Sequence, residues 1–305
     1  MPADESDATA PEPHVPESRV FVSQRLRLHY LDWGNPGAPT LVLVHGGLDH
    51  ARSWDWTARA LRRDWHVIAP DLRGHGDSAW SPDGAYLMPY YACDLAQLID
   101  QLGDGPVTIV GHSLGGAIAL RYAALYPERV VKLVVIEGLG YAPDEALRQA
   151  ARPIDARWRE WMAERRALSG RTPRRYGDVE EALGRMRAQF PQLSEEQARH
   201  LTVHGLRRTE DGGFVWKYDN HLRVPAPLEV TDAELHALWH AVTCPVLLAY
   251  GRDSWASNPA EDGRAAHFRN ARVMLFDDAG HWLHHDRFAA FLAALRGFLE
   301  EGTGG

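Results

Sequence analysis

Lysine is almost missing from this chain, and cysteine nearly so. Lys132 and Lys217 are the only lysines among 33 basic residues, and 41 acidic residues outnumber that set, leaving a formal charge of −8. An acidic chain without a long basic stripe does not present a nucleic-acid surface. The one Arg-rich run, Arg171–Arg175, reads as solvated surface. Cys93 and Cys244, distant in sequence and without a CxxC, provide neither a disulfide framework nor a thiolate metal site. They read as two buried, reduced thiols in a cytoplasmic protein. No apolar run approaches the roughly 18 residues of a membrane-spanning helix. Residues 1–18 are acidic and proline-rich, with neither a basic start nor an apolar centre; they read as a disordered tail rather than a signal peptide.

Short, continuous apolar runs are present instead. Thr40–His45 (TLVLVH), His66–Pro70, Val107–Val110, Val130–Ile136, Pro245–Tyr250 and Arg272–Phe276 have the make-up of strands buried on both faces. Two alternating stretches before them, Arg19–Ser23 and Leu26–Leu31, predict a hairpin. Helical patterns fall between the runs at Trp54–Arg63, Tyr91–Leu102, Leu114–Tyr126, Pro259–Phe268 and Arg287–Glu300. Strand and helix in alternation predict an α/β fold: a mostly parallel, doubly wound sheet. The alternation stops between residues 141 and 240. That segment is polar and helical and too long for a loop, so it predicts an inserted helical cap (lid) on a core of residues 19–140 and 241–300. Within it, Gly212-Gly213 and the following FVWKYD predict a small extended piece.

The most informative segment is VTIVGHSLGG, from Val107 to Gly116. A buried strand ends at Gly111 and a helical pattern begins at Leu114, so Gly111-His112-Ser113-Leu114-Gly115 is a G-x-S-x-G sequence in the context that gives it meaning. A turn that tight strains the serine backbone and needs glycines on either side. It leaves the hydroxyl clear of the sheet, and the helix that follows aims its N-terminal amides at negative charge forming nearby. No lysine follows the glycines, so the segment is not a phosphate-binding P-loop.

Four motifs in this order resemble those of the α/β-hydrolase superfamily: His45-Gly46-Gly47 after a strand, the run Asp71-Leu72-Arg73-Gly74-His75-Gly76-Asp77-Ser78, the serine elbow, and a late Gly280-His281. The likeness covers about Arg19 to Glu300. The RRYGDVEEALGRMR, LSEEQARHL and GGFVWKYD stretches resemble the serine hydrolase-like branch. The resemblance implies Ser113 as nucleophile, His281 as its general base, and the backbone N–H groups of Gly47 and Leu114 as an oxyanion hole. Such donors supply about 3–4 kcal/mol each to the transition state. Asp71, Arg73, Asp77 and Ser78 are expected to shape their loop, and His284 and His285 to sit at the surface or the pocket rim.

The acid has two candidates. Glu137 leaves the buried run VVKLVVI, where an unpaired carboxylate would be costly, and it is favoured. Asp253, in Gly251-Arg252-Asp253, is the alternative; it lies one residue early for the G-x-x-D pattern of many relatives. A serine at the elbow argues against epoxide hydrolase and haloalkane dehalogenase chemistry, which uses an aspartate there. The expected activity is therefore a serine hydrolase, carboxylesterase-like, on a small to medium apolar ester. A cofactor-free carbon–carbon bond hydrolase or a lactonase on the same residues is the alternative, and a receptor-like ligand binder is the non-enzymatic one. Trp80, Tyr141, Trp158, Trp161, Trp255 and Trp282 are candidate pocket residues. Neither a cofactor nor a metal is expected: the i,i+4 pairs His200/His204 and His236/His240 lack the HExxH glutamate and a third ligand in sequence. The expected partner is a small-molecule substrate, with no nucleic acid and no membrane.

Overall fold

The computed structural model describes residues 14–227 and 230–301. Thirteen residues of the expected N-terminal tail and four at the C-terminus lie outside them. Glu17 and Ser18, expected from the sequence to lie in that tail, belong instead to the first strand.

A hairpin opens the fold, β1 (Glu17–Ser23) and β2 (Leu26–Asp32), followed by β3 (Thr40–Val44), α1 (Asp55–Leu61), β4 (His66–Pro70), α2 (Met88–Leu102), β5 (Val107–His112), α3 (Leu114–Leu125) and β6 (Val130–Ile136). The inserted segment then contributes α4 (Pro143–Ala151), α5 (Ile154–Ser169), α6 (Val179–Gln189), α7 (Glu195–Gly205), the short strands β7 (Leu206–Arg208) and β8 (Phe214–Trp216), and α8 (Asp232–Ala241). The chain returns to the sheet with β9 (Val246–Gly251) and β10 (Ala271–Phe276) and ends in α9 (Leu283–Asp286) and α10 (Phe288–Glu300).

Eight strands form one sheet in the order β1-β2-β4-β3-β5-β6-β9-β10. From β4 to β10 all neighbours are parallel; β2 runs antiparallel to both β1 and β4. The unbroken apolar runs follow from burial on both faces. In β3, Val42 and Val44 pack on one side with Ile109, Val135 and α2–α3, while Leu41 and Leu43 pack on the other with Val67, Val134 and Phe291 of α10. Alternate residues point to opposite faces, so a run apolar at every position serves two cores at once. Each fully buried Leu or Val contributes about 1.5–3 kcal/mol.

Lys132 is buried because it has a specific task. Its ammonium donates to the carbonyls of Phe298, Leu299 and Glu301 at 2.9, 2.5 and 2.5 Å, placing positive charge where α10 ends in unsatisfied carbonyls.

Three expectations are corrected. Pro259–Phe268 is not a helix; only Arg264–His267 forms a 3₁₀ turn. The Asn258 and Asp262 side chains accept the backbone N–H groups of Ala260 and Arg264, and Gly263 sits at φ 87°, which breaks the helical run. Cys93 is exposed, not buried, because α2 turns Tyr91, Ala92, Leu95, Leu98 and Ile99 inward and leaves position 93 outside that stripe. His284 and His285 are buried, at 2% and 5% exposure, rather than at the surface. The short α9 stacks His284 on Trp54 and sets His285 edge-on to Trp56.

Candidate active site

The parallel strands reverse their winding between β3 and β5, and a crevice at the carboxyl ends of strands beside such a point is where α/β sheets bind ligands. Ser113 stands there, between β5 and α3, at φ 50° and ψ −115°. The elbow leaves no room for side chains around it. A Cβ on Gly111 would meet the Gly115 carbonyl oxygen at 2.6 Å, and one on Gly115 would meet the Val44 oxygen at 2.3 Å. The Ser113 N–H donates to the Ile136 carbonyl at 2.7 Å, which ties the turn to the end of β6.

The residue just after β6 also departs from ordinary backbone. Glu137 lies at φ 49°, and its side chain is fully buried. Its two oxygens are nevertheless fully engaged. Oε1 accepts the Gly251 N–H at 2.8 Å, and Oε2 accepts the Ser254 hydroxyl at 2.6 Å and lies 2.5 Å from His281 Nδ1. These contacts offset the cost of burying the carboxylate. With Nδ1 held by a carboxylate, the proton rests there and Nε2 is left as the basic nitrogen. Asp253, the other candidate, has an exposed side chain; its backbone N–H donates to Ala279 O. Ser254, its neighbour, was not anticipated, and no sequence signal distinguishes it from any loop serine.

His112 secures the base from beneath. Its ring lies 4.8 Å from that of His281, and its Nε2–H donates to the His281 carbonyl at 2.9 Å. Burial and then the neighbouring His281 push the His112 pKa well below its ordinary value, so it remains a neutral donor. Trp255, 65% exposed, packs its ring 5.0 Å from His281 on another side.

His45 is buried and ties its own loop to that of Leu72. Its Nδ1–H donates to Gly46 O at 2.7 Å and its Nε2 accepts the Leu72 N–H at 3.0 Å, which fixes a neutral tautomer; burial lowers its pKa to about 3. Gly47 and Leu114 both border a large cavity, whose lining reaches the residue after Ser113 but includes neither Ser113 nor His281. Among the described residues neither of their backbone N–H groups has a protein acceptor. Asp71 shapes its loop as expected, accepting the N–H groups of Ala51 and Asp77 and bonding His29 at 2.7 Å. Burial opposes its charge, yet these bonds prevail and hold it well below the usual carboxylate range. Arg73 is committed to a buried pair with Asp94, and the Ser78 hydroxyl donates to Asp71 O.

A cavity of about 970 Å³ opens from Gly47 and Leu114 beneath α4, α5 and α8, with Trp161, Leu222, Leu235 and Trp239 on its walls. Of the six aromatic candidates, Tyr141 and Trp161 border it. The other four do not. Trp80 lies under the Arg207 guanidinium, and Trp158 is half exposed on α5. Trp255 flanks His281, and Trp282 stacks on Phe190 at 4.5 Å.

The chain resembles known proteins along most of its length. The family model described as alpha/beta hydrolase fold matches residues 39–288. The chain belongs to that family. It is 29% identical to an esterase of Mycobacterium tuberculosis, Rv0045c, over 98% of this chain and 93% of that one. A serine hydrolase-like protein of Danio rerio is 31% identical over 72% of this chain and 67% of its own length. The solved structure of the same M. tuberculosis esterase superposes with a TM-score of 0.74 at 29% identity, covering 93% of this chain and 92% of that one. The protein is a hydrolase of this family. Among the described residues, no helix is long and apolar enough to cross a membrane.

Proposed function

We propose that the protein is a serine carboxylesterase in which Ser113 is the nucleophile, His281 the general base and Glu137 the acid. The observation that carries the reading is the engaged, buried Glu137 carboxylate 2.5 Å from His281 Nδ1, in a chain whose elbow serine is strained at φ 50°. A serine hydroxyl attacks a carbonyl only as its proton leaves, and the free Nε2 of a correctly oriented imidazole takes it. His281 then returns that proton to the departing alcohol, leaving an acyl-Ser113. Water, activated by the same imidazole, releases the acid and restores the serine. Glu137 keeps its charge throughout and stabilises the imidazolium. The amides of Gly47 and Leu114 receive the oxyanion of each tetrahedral intermediate.

The inserted segment, residues 141–240, acts as a cap, and its last helix, α8, seats Trp239 in the same apolar cluster as α3. The cavity it covers accommodates an acyl chain of medium length. Its lining is more apolar than polar, so an apolar ester is the substrate class. The test is turnover of p-nitrophenyl esters from acetate to dodecanoate by wild type and Ser113→Ala. The optimum is expected beyond acetate, and the variant is expected to be silent. Equal activity in both proteins would remove the assignment.

A further inference from the structure

We propose that Asp55, His200 and His204 form a binding site for a divalent transition metal, with zinc the best match, at the junction of the inserted segment and the sheet domain. The site is remote from Ser113 in role and does not depend on the esterase reading.

His200 and His204 stand one turn apart on the same face of α7, with ring centroids 4.5 Å apart. Asp55 is the first residue of α1, on the sheet domain, and its side chain is fully buried. One ligating atom from each of the three lies within 4.8 Å of the others, and His200 Nε2 is already 3.3 Å from Asp55 Oδ2. Two imidazole nitrogens and one carboxylate oxygen make a donor set that suits zinc, nickel or copper and disfavours the oxygen-seeking magnesium and calcium. Three protein ligands leave a fourth position for water. The set is also oriented: the Trp56 ring packs 4.6 Å from that of His200.

Asp55 is not idle without a metal. Arg52 donates to both of its oxygens, at 3.0 and 2.8 Å from Nε, and Arg59 approaches at 3.5 Å. A cation entering the site must displace the Arg52 side chain and break the bond that His200 Nε2–H donates to Arg52 O at 3.1 Å. That side chain is a quarter exposed, so it can turn outward to water while the metal takes over neutralising the carboxylate. Breaking this pair lowers affinity, which sets the expectation at micromolar rather than nanomolar. Bound metal would join α7 to α1. The same helix already meets the sheet domain through Gln197 Nε2 to His285 O and His50 Nε2 to Leu201 O, so the metal would reinforce an existing anchor and raise thermal stability.

The experiment is calorimetric titration of the metal-stripped full chain with zinc chloride. Thermal melts and the visible spectrum of the cobalt-substituted protein accompany it. Wild type, His200→Gln and His204→Gln are compared, and each variant's metal-free melting temperature reports its folding. One equivalent of zinc should bind wild type and raise its melting temperature, and cobalt should give intense tetrahedral bands. Each variant should lose roughly tenfold or more in affinity, and the stabilisation with it. Saturable binding that both variants retain would overturn the site. So would no binding at sub-millimolar zinc, or inhibition alone that survives in both variants.

Discussion

Glu137 Oε2 lies 2.5 Å from His281 Nδ1, although 144 residues separate the two in sequence. The carboxylate reaches the imidazole from the end of β6, one strand nearer the nucleophile than the loop after β9. Exchanging Glu137 for Gln preserves shape but offers Nδ1 no charge and can impose the wrong tautomer. Esterase kcat is expected to fall by about 10³–10⁴-fold, with KM little altered. Asp253→Asn should stay within about twofold of wild type, since that side chain is exposed. Steady-state kinetics on one ester decides between the two carboxylates; the reverse pattern would assign Asp253.

Ser254 donates to the same Glu137 oxygen that holds His281. Ser254→Ala removes one hydrogen bond to a charged group, worth about 1.5–3 kcal/mol in such settings. Losing that bond loosens the carboxylate that orients His281, so kcat should fall by roughly tenfold or less with KM little altered. An unchanged kcat would show that the Gly251 N–H alone suffices to position the acid.

Buried histidines make stability depend on pH. Burial lowers His45 and His285 to about 3 and His75 to about 4, and holds His112 and His284 well below the ordinary value. In the unfolded chain each titrates near about 6.5. Between that value and the folded pKa the unfolded state binds more protons, so stability is complete above pH 6.5 and is lost as pH falls below it. Each proton contributes about 1.4 kcal/mol per pH unit. Urea unfolding at pH 7, 6 and 5 should show a decline steeper than one proton accounts for. A flat profile would mean that these rings gain partners on protonation.

Arg73 and Asp94 form a pair with both side chains below one-tenth exposed, at 2.6 Å. Removing one partner leaves the other charged and buried, which costs about 3–5 kcal/mol. Arg73→Met should lower the urea midpoint accordingly, while the double exchange Arg73→Met with Asp94→Leu should recover much of the loss. Equal destabilisation of single and double variants would show that packing, not charge, governs the position.

The sheet was legible in the sequence because each central strand is apolar at every position, and Val42/Val44 and Leu41/Leu43 show why: the two sets feed separate cores. The glycines around Ser113 mark the strained turn that the structure shows, and the carboxylate at the end of VVKLVVI has the partners its burial demands. What sequence did not reveal are the places where a polar residue is buried by neighbours remote in the chain. His284 and His285 resemble surface residues until Trp54 and Trp56 cover them. The pocket aromatics were only partly placed, because Trp80, Trp158, Trp255 and Trp282 find other partners that no local pattern records. Pro259–Phe268 had helical composition, but Asn258 and Asp262 captured the backbone donors first.

The most direct measurement is fluorophosphonate labelling read by intact mass and peptide mapping, on wild type and Ser113→Ala, alongside p-nitrophenyl ester turnover. The Ser113–His281–Glu137 assignment predicts one adduct per chain, on Ser113, with labelling and turnover both abolished in the variant. An adduct on another serine, or ester turnover that persists in Ser113→Ala, would contradict it.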